Sequence, residues 1–269
     1  MRSRNIKTPR WDITIEEYNS MREMIGNTQR RERNSWAECC PDRNYGFPDR
    51  LNLLLNGWEE KTKEIMSKLD KNIQAKSVTR KRTERYKDIV GYAPVVPYAL
   101  MGVPKCMHNS RKVYKSNTKI VEIIFDPGAA ANEEPETVAQ HGVELLAKIK
   151  SLELAGYRCR LMVQVFKGQP ETKQAYFCMI PIKEENQPLD LSRIAYPIAN
   201  VEMLRTFGFY WYEHLPNAQH IHGYGRSLYK WDRDKREDIL KAVLPKGNQY
   251  YVNLGTDIDT MFKPLLQER

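Results

Sequence analysis

Cysteine is scarce in this chain, and no two cysteines have the spacing of a metal-binding pair. The five cysteines comprise the adjacent Cys39 and Cys40 and three isolated residues. A disulfide framework uses an even set of cysteines, and a zinc site uses Cys-x-x-Cys or a related spacing. The pattern therefore excludes a disulfide framework and a zinc site of this kind. It is typical of a protein in a reducing compartment. Cys159 and Cys178 stand in apolar strand contexts, so we expect them in the core.

Long apolar runs are also absent. No stretch approaches the roughly 18 apolar residues that cross a bilayer. The N-terminal residues lack the apolar centre of a secretory signal. We therefore predict a soluble, intracellular protein that has no membrane partner.

The common catalytic signatures are missing too. There is neither a Gly-x-x-x-x-Gly-Lys loop nor a Gly-x-Ser-x-Gly turn. His220 and His222 flank one apolar residue, and in a strand both imidazoles would share a face. This pair resembles the metal-holding histidines of rolling-circle nicking nucleases, with Tyr224 or Tyr229 as nucleophile. Neither tyrosine has lysine at the third following position, and nearby glycines favour a polar loop, so the nuclease is the alternative hypothesis.

Positive charge is concentrated in one stretch of the chain. The formal net charge is +9, and residues 61–87 hold ten lysines and arginines against three acidic residues. A local basic block predicts a polyanionic partner, nucleic acid before membrane. A solvated basic helix without any ligand is the alternative.

The end of this basic block carries the predicted nucleic-acid contacts. A tyrosine among cations can stack on a base while the cations hold phosphates. An ordinary exposed tyrosine is the alternative. The predicted site residues are Arg80, Lys81, Arg82, Arg85, Tyr86 and Lys87.

A strand–helix–strand unit organises the predicted fold. Residues 119–125 and 157–166 are apolar strands joined by an amphipathic helix over 135–155, which predicts parallel, right-handed pairing. A strand over 173–183 follows a short turn and should pair antiparallel with the strand over 157–166. A fourth strand, 249–254, is predicted parallel to the first. The chain is therefore predicted to be α/β, with a mixed sheet and flanking helices.

We predict two parts, a helical, basic N-terminal extension over residues 1–90 and the α/β domain over 91–269. Thr14 and Glu17 have capping-box spacing and predict the start of a helix. Residues 74–88 are predicted to be a linker or frayed helix. The segment 91–104 has three prolines, which predict an extended piece and one helical turn packed across the core.

This strand order resembles a von Willebrand factor A-like domain, a Rossmann-like fold. Such domains hold a metal after the first strand through Asp-x-Ser-x-Ser and a distal aspartate. The matching segment starts at Asp126 but has Gly128 and Ala130 in place of the serines, and Asp257 matches the distal aspartate. The resemblance implies a divalent metal at Asp126 and Asp257. Without the hydroxyls the ligand set is poor, so we expect no cofactor, and a divalent metal with water as further ligands is the alternative.

The chain as a whole resembles an uncharacterised family carried by tailed phages. The resemblance implies phage origin and a location in the host cytoplasm, but no reaction. Its landmarks are Asn56-Gly-Trp58-Glu, Asp88 to Tyr98, Gly102 to Met107, Leu154-Ala-Gly-Tyr157, Met203-Leu-Arg205 and Gly223-Tyr-Gly225.

The sequence thus predicts a non-enzymatic binding or scaffold protein, associated with nucleic acid or with a host or phage protein complex. Two alternatives stay open. One is a metal-dependent nicking nuclease that uses His220 and His222. The other is a virion or assembly protein.

Overall fold

The computed structural model describes residues 1–28, 46–69, 81–114, 119–129, 133–169, 172–215, 227–244 and 248–267. Their strands are β1 (Arg2–Lys7), β2 (Asp12–Glu17), β3 (Lys81–Asp88), β4 (Ala93–Pro94), β5 (Met107–Tyr114), β6 (Ile120–Phe125), β7 (Arg158–Gln169), β8 (Gln174–Lys183) and β9 (Gln249–Val252). The strands form a six-stranded mixed sheet, in the order β1-β2-β8-β7-β6-β9, and a three-stranded sheet, in the order β3-β5-β4.

The helices of the described residues pack mainly around the larger sheet. They are α1 (Met21–Asn27), α2 (Phe47–Asn56), α3 (Glu59–Leu69), α4 (Val96–Leu100), α5 (Pro135–Leu154), α6 (Leu191–Ala199), α7 (Phe209–His214), α8 (Arg233–Val243) and α9 (Ile258–Gln267). A π-helical turn over Met203–Gly208 links α6 to α7. The predicted α/β class is confirmed.

The strand–helix–strand unit predicted from the sequence forms the centre of the larger sheet. β6 and β7 pair in parallel, from Ile120 opposite Arg158 onward. α5 connects them, with Pro135 in its first turn and Gly156 in a left-handed conformation just beyond its end. β8 pairs antiparallel with β7, and β9 pairs parallel with β6. All four predicted strands and their directions are confirmed.

The predicted helix start at Thr14 is wrong. Thr14 and Glu17 lie in β2, which pairs in parallel with β8, and β1 adds outside β2. Ile13 and Ile15 are fully buried, so the two-residue apolar period of a strand outweighs the capping-box spacing. The first helix begins at Met21 instead. The division at residue 90 stays a prediction, although β1 and β2 contribute two strands to the larger sheet.

Two apolar layers cover the two faces of the larger sheet. Consecutive residues alternate between them, so Ile123 packs beneath α5, α6, α7 and α9 while Ile124 packs on the α8 side. The predicted burial of Cys159 and Cys178 is confirmed. The aromatic run after α6 also belongs to the core, through Phe207, Phe209, Trp211 and Tyr212.

The smaller sheet corrects two further predictions. Residues 81–88 are a strand rather than a linker or frayed helix, because β3 pairs over eight positions with β5. The segment 91–104 was predicted to cross the core, but no residue from 83 to 111 is buried. Backbone hydrogen bonds between strands, rather than apolar burial, hold this part together. We call residues 81–114 the small-sheet module.

Candidate nucleic-acid interface

The predicted nucleic-acid contacts lie on β3, one of the two outer strands of the small-sheet module. Arg85, Tyr86 and Lys87 are in the described strand, and Lys81 and Arg82 begin it. Arg80 lies outside the described residues. Strand geometry sends successive side chains to opposite faces. The predicted set is therefore divided between the two faces of the small sheet.

One face gathers positive charge. Arg85 and Lys87 lie on it, opposite Ser110 and His108 of β5. Thr83 shares the same face by alternation. We call Thr83, Arg85, Lys87, His108 and Ser110 the cation face. Arg85 is exposed, and no ion pair among the described residues involves it.

The acidic residues of β3 lie on the other face, with Tyr86. Glu84 pairs there with Arg111 of β5 at 3.1 Å, and the Arg111 guanidinium carbon is 5.8 Å from the centre of the Tyr86 ring. Asp88 accepts a hydrogen bond from the backbone N–H of Ile89. The alternation of β3 thus leaves the cation face without a carboxylate from its own strand.

Aromatic rings lie beside the cation face. The Lys87 amine is 3.5 Å from the centre of the Tyr98 ring. Its hydrogen bond and its charge lower the pKa of Tyr98 below the ordinary value. Tyr92 stacks on His108, with ring centres 6.3 Å apart and an interplanar angle of 23°. These contacts bring Tyr92 and Tyr98, neither of them predicted as site residues, alongside the predicted cations.

Gly91 places Tyr92. A Cβ atom at Gly91 would lie 2.0 Å from the carbonyl oxygen of His108, so only glycine permits this close approach to β5. The next residue, Tyr92, donates its backbone N–H to the same oxygen at 2.9 Å. A glycine before a tyrosine was the available signal in the sequence, but the close approach depends on β5, which was not predicted.

Asp126, the first predicted metal ligand, lies buried at the end of β6. One carboxyl oxygen accepts the Gly128 backbone N–H at 2.8 Å, and the other accepts the hydroxyls of Ser227 and Tyr251. Burial raises the pKa of Asp126, although these hydrogen bonds oppose the rise. The three donors hold the carboxyl group in place, so Asp126 organises the end of the strand.

Asp257, the second predicted ligand, lies exposed just before α9. Its carboxylate accepts hydrogen bonds from the backbone N–H of Thr260 at 3.0 Å and from the Thr260 hydroxyl at 2.7 Å. These bonds lower the pKa of Asp257 and cap the helix. Within the described ranges, no three histidine, cysteine or acidic side chains are grouped as a metal site would need. Metal binding by Asp126 and Asp257 stays an untested alternative.

His220 and His222 lie outside the described residues, so the nuclease alternative also stays a prediction. In the part of the chain that the structure describes, no helix combines the length and apolar character needed to cross a bilayer.

Comparison with known proteins adds a family and nothing more specific. Residues 4–269 match a family model described as a domain of unknown function, DUF7192. No curated protein and no solved structure matches the chain significantly.

Proposed function

For this chain, which belongs to the DUF7192 family of domains of unknown function, we propose a role as a non-enzymatic nucleic-acid-binding protein. The observation that carries the proposal is the separation of charge on β3. Arg85 and Lys87 lie on one face and Glu84 and Asp88 on the other. A face with cations and no carboxylate from its strand suits a chain of phosphates.

The composition of the small-sheet module supports the same partner. Residues 81–114 contain seven lysines and arginines against two acidic residues. One of the two acids, Glu84, is already paired with Arg111. A polyanion that docks here gains attraction and meets little repulsion. Contacts of this kind exchange bound counterions for protein cations, so affinity falls steeply with salt and depends little on sequence.

The setting of this binding is also part of the proposal. The sequence landmarks shared with a tailed-phage family support a phage protein that works in the host cytoplasm. The order β8-β7-β6-β9 supports a von Willebrand A-like relationship for the larger sheet. The virion and nuclease alternatives have no supporting observation among the described residues.

The test compares two single charge losses on opposite faces of one sheet. Binding of a fluorescent DNA or RNA oligonucleotide is measured by anisotropy from low to moderate salt. Arg85→Gln should weaken binding and reduce the salt slope by about one, as for the loss of one phosphate contact. Arg111→Gln removes the same charge from the opposite face and should leave the slope unchanged.

Two results would contradict the proposal. One is the absence of binding to DNA and RNA at low salt. The other is an equal effect of the two substitutions, which would mean that net charge, rather than the cation face, attracts the oligonucleotide.

A further inference from the structure

The small-sheet module exposes an unusual amount of apolar surface. Six large side chains within thirteen consecutive residues are between 59% and 83% exposed. We call this set the apolar ridge, and it comprises Ile89, Val90, Tyr92, Val96, Leu100 and Met101. Single exposed apolar residues are ordinary, but a concentration of this kind marks an interaction surface.

The apolar ridge adjoins the cation face. Tyr98 of α4 contacts Lys87, which brings the helix against that face. Val96 and Leu100 are four residues apart and lie together on one side of α4, whereas Tyr98, two residues from each, faces the other side. Tyr92, itself part of the ridge, stacks on His108 of the cation face. Cations and aromatic rings therefore lie side by side, and Tyr92 joins the ridge to the cation face.

A duplex would contact the cations of this surface but would leave its aromatic rings without a base to stack on. Its outside offers phosphates and sugars, while its bases are stacked within, and extracting a base costs unstacking and unpairing energy. A single strand offers phosphates to the cations and exposed base faces to the rings and aliphatic groups. An acidic, apolar protein segment would match the ridge but would make less use of the stacked Tyr92 and His108 pair.

We propose that the small-sheet module binds single-stranded nucleic acid in preference to duplex, with Tyr92 stacking on a base beside Arg85 and Lys87. This inference rests on the nucleic-acid binding proposed above and specifies its substrate. The proposal assigns base stacking to Tyr92 instead of Tyr86, because Tyr86 lies on the face with Glu84 and Arg111.

The experiment uses the full chain with a single-stranded oligonucleotide and a hairpin duplex of equal charge. The single strand should bind about tenfold more tightly, and Tyr92→Ala should reduce that affinity by about tenfold while changing duplex binding by less than about twofold. Tyr86→Ala is the matched control on the opposite face and should change neither. Tyr92→Phe should keep the preference, because the ring remains.

The outcomes separate the inference from the proposed function. Equal affinity for single strand and duplex, or an equal loss of both with Tyr92→Ala, would overturn the single-strand inference and leave nucleic-acid binding in place. Binding of neither oligonucleotide at low salt would overturn both. Thermal unfolding of each variant confirms that the larger sheet is intact.

Discussion

Arg85 and Tyr86 are neighbours in the chain, yet they face opposite sides of β3. Arg85 stands opposite Ser110 and Tyr86 opposite Asn109, in antiparallel register. An aromatic ring and a cation must lie on the same face of the strand to contact the same nucleotide, so Tyr86 cannot act together with Arg85. Lys87, two residues from Arg85, shares its face and contacts Tyr98. The surface that we propose for nucleic acid is therefore made from β3, α4 and the turn between them, rather than from one continuous stretch of sequence.

Replacing Gly91 should disturb the aromatic part of this surface. Gly91→Ala places a methyl group 2.0 Å from the carbonyl oxygen of His108, so the backbone must move, and we expect Tyr92 to leave its stack. We expect the ring-current shift of the His108 imidazole to be lost in NMR spectra. The unfolding midpoint of the larger sheet should change little, because no residue from 83 to 111 is buried.

Gly26→Ala is the matched control for this prediction. A Cβ atom at Gly26 would have no neighbour within 4 Å, so the substitution should leave the His108 signal unchanged. An unchanged His108 signal in Gly91→Ala would mean that the turn does not position Tyr92 as described.

The two predicted metal ligands should differ in their effect on stability. Asp126→Ala leaves the hydroxyls of Ser227 and Tyr251 and the N–H of Gly128 without their buried acceptor. We expect the free energy of unfolding to fall by about 2–4 kcal/mol. Asp257→Ala removes an exposed helix cap and should cost about 1 kcal/mol. Urea unfolding measures both, and equal losses would contradict the structural role of Asp126.

Divalent metal should not stabilise the chain through Asp126. Its carboxyl already accepts hydrogen bonds from Gly128, Ser227 and Tyr251, and burial favours its protonated form, whereas Mg²⁺ requires ionised or carbonyl oxygens. We expect the thermal midpoint to be the same with excess Mg²⁺ and with chelator. A metal-dependent rise that Asp126→Ala abolishes would instead establish the site implied by the von Willebrand A-like resemblance.

The sequence predicted the centre of the fold well, because that part has strong apolar periodicity. β6, β7 and β8 are apolar strands, and α5 shows a helical period ended by Gly156. β3 carries no apolar alternation, since its stability comes from pairing with β5, a partner 27 residues distant at Glu84 and Arg111. A basic strand paired over such a distance is indistinguishable from a linker in the sequence.

The candidate site could be predicted only in its charges. Arg85 and Lys87 were identified because basic side chains accumulate locally in the sequence. Tyr92 was missed because its role depends on the stack with His108, which requires β5 to lie against the turn. Tyr86 was included because it is close to the cations in sequence, and the two-residue period of a strand then separates it from Arg85 and Lys87.

Lys167 should make stability depend on pH in the alkaline range. It lies buried on β7, with its amine 4.8 Å from the centre of the Tyr212 ring. Burial lowers its pKa to about 7, although the charge of Glu213 opposes the change. The unfolded chain therefore binds more protons than the folded chain between about pH 7 and the ordinary lysine pKa of 10.5. Stability should rise with pH across that window, by at most about 1.4 kcal/mol per pH unit.

Lys167→Met should remove this rise, because methionine fills a similar volume without a titrating group. Urea unfolding at several pH values from neutral to alkaline gives the free energy of unfolding for both proteins. The difference between them should be largest near neutral pH, where the buried amine costs most, and should shrink as pH increases. Lys241→Met removes an exposed lysine from α8. Its free energy of unfolding should depend on pH in the same way as that of the unsubstituted chain. If Lys167→Met also showed the same pH dependence as the unsubstituted chain, the pKa of the amine would not be lowered in the folded state. Solvent would then have to reach the amine beside Tyr212.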